Sequence, residues 1–63
     1  MATIEFMCKI EVLPNLWHHN VLIDGAKARV IENTDTPMSP TDVVQGIRDG
    51  ILTTTDGWVK DCP

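Results

Sequence analysis

A chain of 63 residues, 43% hydrophobic and 22% charged, has room for one small domain over residues 1–63 and for one thin core. Only about 60% of the surface of so short a chain is buried on folding, which excludes most enclosed active sites and every large cofactor fold, and the expectation is a protein that is not an enzyme. Nine acidic residues against five basic ones give a net charge of −4, a balance that disfavours phosphate backbones as partners and favours basic surfaces.

The first element is a strand. From Thr3 to Val12 the even positions Ile4, Phe6, Cys8, Ile10 and Val12 are apolar, while the odd ones are polar apart from Met7, which is the period of a sheet with one buried face. The alternation begins directly after Met1-Ala2, with no leader pattern before it, and the expected setting is the cytoplasm. Cys8 on this strand and Cys62 near the other end form no C-x-x-C pair. A bridge would tie the two ends together, but reducing compartments keep such thiols free, so Cys8 reads as a small buried hydrophobe.

Pro14 ends the strand, and Leu13 to Asn20 reads as a connection with Leu16 and Trp17 as its apolar content. His18 and His19 fall in that segment as solvated or capping side chains. Adjacent residues on extended backbone point to opposite sides, so the two rings do not share a metal and no metal site is expected. Val21 to Ile23 then leads through Asp24-Gly25, a type I′ turn dipeptide, into a strand over Ala26 to Glu32. Lys27 and Arg29 project from one face of this hairpin, with Lys9 placed to lie beside them. Three bases in an acidic chain make a poor nucleic-acid footprint, and sheet-mediated binding of nucleic acid is the third reading.

Ser39-Pro40-Thr41-Asp42 reads as a helix start, with a serine cap, proline at the first helical position and an acid in the first turn. Val43, Val44, Ile47 and Ile51 share one side of the helical wheel and are assigned to the core; Asp42, Gln45 and Asp49 lie opposite. Gly50 is the expected stop. Beyond it, Asp56-Gly57 offers a turn and Trp58-Val59 a short last strand. The fold class is therefore α+β: a small antiparallel sheet, a three-stranded meander with a short fourth strand, packed against one short helix.

All of the net charge lies in residues 32–63, where six acids meet only Arg48 and Lys60. No nucleophile motif, paired carboxylate or glycine-rich loop accompanies it, so function is expected to be recognition of another protein. The candidate binding residues are Glu32, Asp35, Asp42, Gln45 and Asp49 as an acidic face, with Trp17 and Trp58 as apolar anchors. The same order of elements occurs in small unrelated domains, among them antitoxin-like modules and phage-encoded inhibitors of host enzymes, and no motif selects one of them. The first reading is a small acidic inhibitor or adaptor that docks on a basic protein surface. The second is a structural or oligomer-forming protein, in which the first strand serves as an exposed edge for a homodimer; no cofactor and no membrane contact are expected.

Overall fold

The computed structural model describes residues 2–63. Strand β1 spans Ile4–Leu13 and turns at Pro14-Asn15 into β2, Leu16–Ile23. Proline fits the first corner of a type II turn, and Asn15 takes the second at φ 62°. The Leu13–Asn20 segment expected as a connection is thus a tight turn followed by most of a strand. Asp24 and Gly25, with φ of 50° and 83°, make the expected type I′ turn into β3, Ala26–Asn33. Helix α1, Pro40–Arg48, follows, and a two-residue strand β4, Thr55–Asp56, closes a sheet of order β1-β2-β3-β4. The last strand therefore precedes Trp58-Val59, where the sequence placed it.

Because paired residues share a face and neighbours alternate, the registers divide the sheet into two sides. On one side Phe6, Val21 and Ala28 form a row beside His19 and Val30. Helix α1 packs there: Val43 joins Val21, Ala28 and Val30 in the buried core, with Phe6, Ile23, Met38, Ile47 and Leu52 packed around it. The other side carries Leu16, His18, Asn20 and Leu22 from β2 and Lys27 and Arg29 from β3. The chain after β4 crosses this second side. Both faces of β2 are covered, and His18, His19, Asn20 and Val21 are all buried, which removes any reason for its sequence to alternate.

Strand β1 alternates between half-buried and exposed along its whole length, as its sequence indicates, but the half-buried residues do not share one core. A bulge between Phe6 and Cys8 leaves Met7 as the extra residue and reverses the sides. Ile4 and Phe6 face the helix; Cys8 and Ile10 face the terminal segment. There Cys8 is bridged to Cys62, with Cα atoms 5.9 Å apart, and the expectation of free thiols is overturned. The bulge aims Cys8 at the terminal segment, and buried Asn20 holds that segment in place by donating its Nδ2 to the Lys60 carbonyl at 2.7 Å.

Ser39 caps α1 by accepting from the Asp42 amide at 3.2 Å, and Gly50, at φ 73°, ends it. The amides of Ile51 and Leu52 both return to the Gly46 carbonyl. This turn folds Leu52 back over the helix, and a Cβ on Gly46 would meet the Leu52 Cγ at 2.7 Å. Ile51, assigned to the core from the helical wheel, is 76% exposed, because the wheel ceases to apply once Gly50 ends the helix.

Candidate functional site: an acidic helix ridge

Helix α1 buries Val43 and half-buries Val44 and Ile47, which leaves Asp42, Gln45 and Asp49 exposed on its outer side. The three fall together as the sequence indicates. Gln45 Nε2 donates to Asp49 Oδ1 at 2.9 Å, an i, i+4 contact that orients the carboxylate at the end of the helix. Gln45 and Asp49 form a ridge between two hollows. One, about 250 Å³, is lined by Met38, Gly46, Ile51 and Leu52 beside Asp42. The other, about 440 Å³, lies between the helix and the start of β1, with Ile4, Ile23 and Ile47 as its aliphatic wall and Arg48 at its rim. The smaller hollow is below the size of ordinary small-molecule pockets and is suited to an inserted side chain.

The other candidates are placed differently. Asp35 is exposed in the loop before α1. Glu32 is turned inward: Oε1 accepts from His19 Nε2 at 2.8 Å and from the Met38 amide at 3.0 Å, so its carboxylate ties β2, β3 and the helix entry together. A carboxylate only accepts, so Nε2 is the donor in this contact, and the buried Nδ1 of His19 has no partner. The indole N–H of Trp17 donates to the Thr34 carbonyl at 3.1 Å, and Lys9 Nζ sits 5.9 Å from its ring centroid. Trp58 is half-buried and pinned across the sheet, its N–H shared between the carbonyls of Val21 and Ala28 at 3.1 and 2.9 Å. Lys27 covers its ring at 4.8 Å.

The basic side chains do not assemble. Lys27 and Arg29 share the side crossed by the terminal segment, where Arg29 Nη1 donates to the carbonyls of Asp56 and Gly57. The bulge at Met7 sends Lys9 to the opposite side. His18 and His19 are strand residues, contrary to the loop expected for them, and they point to opposite faces as adjacent residues must. Burial, aided by the Arg29 charge, holds His18 below the usual histidine pKa of 6.5. Among the described residues no three His, Cys, Asp or Glu side chains gather in one place.

Ile51, which the sequence assigned to the core, stands exposed beside the acidic ridge and is a candidate contact residue that sequence reasoning missed. Its signal was available in its position immediately after the Gly50 stop. No protein-family model, curated protein or solved structure matches this chain.

Proposed function

We propose that this protein is a small acidic binding module, an inhibitor of the phage-encoded kind or an adaptor, that acts by docking α1 on a basic surface of another protein. What carries the reading is one juxtaposition: Asp42, Gln45 and Asp49 border a hollow floored by Met38, Gly46 and Leu52 and edged by exposed Ile51. Lys or Arg side chains of a partner meet the carboxylates, and an aliphatic or aromatic side chain enters the hollow against Ile51. Asp35, exposed before the helix, extends the acidic field. Glu32, Trp17 and Trp58 support the fold beneath, since their polar groups are already engaged. The scattering of Lys9, Lys27 and Arg29 argues against the nucleic-acid reading.

The Cys8–Cys62 bridge persists in oxidising compartments and is reduced in most cytosols, so it weighs against the cytoplasmic setting expected from the sequence and favours an oxidising one.

The test is a pull-down from the native host at low and high salt, with the wild-type chain and a D42N/D49N variant as baits. Exposed carboxylates act mainly through association rate and salt dependence. One dominant partner is expected, held about ten-fold less by the variant at low salt and about equally by both at high salt. Equal retention at low salt would reduce the acidic ridge to a solubility surface.

A second reading, an oligomer-forming protein, is favoured by one observation, the open outer edge of β1.

A further inference from the structure

We infer that the outer edge of β1 is an interface for a second copy of this chain, paired antiparallel about a two-fold axis at Ile10. The inference is independent of the acidic ridge. In an antiparallel ladder a residue directs its N–H and C=O to one side, and the next residue directs them to the other. The Asp24 amide bonds to the Thr3 carbonyl, whereas the Thr34 amide bonds to the Asn15 carbonyl, so the even residues of β2 address β1 and the odd ones address β3. Asn20 and His18 therefore bond to their partners Cys8 and Ile10. Lys9 and Glu11, lying between and beyond these partners, turn their backbone groups to the open edge.

Both side chains are exposed, and both lie on the helix side of the sheet, because no bulge separates them. Three antiparallel registers bring these outward groups into play. Lys9 opposite its own copy sets two ammonium groups together, and Glu11 opposite its own copy sets two carboxylates together. Lys9 opposite Glu11 of the second copy gives two symmetric opposite-charge pairs on hydrogen-bonded positions, with Ile10 meeting its own copy on the other face. That third register also brings Met7 against Leu13 of the second copy. These are the large apolar side chains of β1 that stand exposed, at 44% and 62%. Charge, hydrogen bonding and apolar exposure thus select the same register.

The two bulges, between Phe6 and Cys8 and between Glu11 and Leu13, frame this segment. They twist the strand at both ends, confining the ladder to Lys9–Glu11 with Met7 and Leu13 flanking it, and opposing longer edge-to-edge growth. A two-fold axis normal to the sheet keeps both helices on one side, so the dimer carries two acidic ridges facing the same way and gains avidity for a repeated partner.

Sedimentation equilibrium of the full chain, from about 1 μM to 1 mM, tests the interface. The wild type is expected to dimerise, and Lys9→Glu and Glu11→Lys each to raise the dissociation constant at least about ten-fold. Mixed in equal amounts, the two variants are expected to form a heterodimer, and a chain carrying both exchanges to dimerise as the wild type does. Far-UV circular dichroism checks that each variant is folded. A wild type monomeric across the range, a dimer indifferent to Lys9→Glu, or two single variants that fail to pair with each other would each overturn the proposal.

Discussion

His18 and His19 show how much of a residue's environment depends on the strand next to it. Both are buried and the Nδ1 of each has no partner, yet their surroundings differ: His19 meets the Glu32 carboxylate, whereas His18 stands in the field of the Arg29 charge. With its pKa held below 6.5 by burial and by Arg29, His18 is neutral in the folded chain at a pH where the unfolded chain already binds a proton. No stability is lost to this group above about pH 6.5, and stability falls as pH drops through the window between that value and the lower folded one. Urea unfolding between pH 5 and 8 is expected to show this fall, and a His18→Gln variant, whatever its absolute stability, to lose that part of the slope. An unchanged slope would mean that His18 titrates normally. The pair's opposite orientation was legible in the sequence, because adjacency alone dictates it on a strand. Their burial was not, because that depends on a helix covering one face and a terminal segment covering the other.

Among the elements, those with local signals were readable and those defined by distant contacts were not. The Asp24-Gly25 turn, the Ser39-Pro40 cap and the Gly50 stop each carry their geometry in two or three residues. Strand β2 carries none, since a strand covered on both sides has no polar face to mark its period. The bulge at Met7 appeared in the sequence as a single break in the alternation, and its effect was to send Cys8 to the other side of the sheet. Gly46 also changes meaning. By propensity it weakens α1 by about 1 kcal/mol relative to alanine. In the fold it makes room for Leu52, whose Cγ and Cδ1 lie within 2.7 Å of where a Cβ would stand. Overpacking costs about 1 to 3 kcal/mol, so the steric penalty is expected to exceed the helical gain. Thermal and urea unfolding of Gly46→Ala should therefore show a net loss of about 1 kcal/mol. A gain in stability would mean that Leu52 moves aside freely.

For the whole molecule, the sequence showed the class of fold and the half that holds the net charge, but not the closure of the chain by its two cysteines. Cys8 and Cys62 are 54 residues apart, too far for any spacing rule to pair them. A loop of that length corresponds to about 4 kcal/mol of unfolded-state entropy removed by the bridge. Domains of this size have total stabilities of only about 3 to 9 kcal/mol, so reduction is expected to bring the chain close to unfolding. Unfolding curves with and without reductant measure this directly. A difference below about 1 kcal/mol would mean that Asn20, Arg29 and Trp58 hold the terminal segment without the bridge.

The acidic ridge on α1 is the centre of the functional account. Its most direct test is a map of backbone amide shifts in the isotopically labelled protein, recorded while the partner captured from its host is added. The changes are expected to concentrate on Asp42, Gln45, Asp49, Ile51 and their neighbours, and to diminish as salt is raised. Changes centred on Lys27 and Arg29, or a map insensitive to salt, would contradict that expectation.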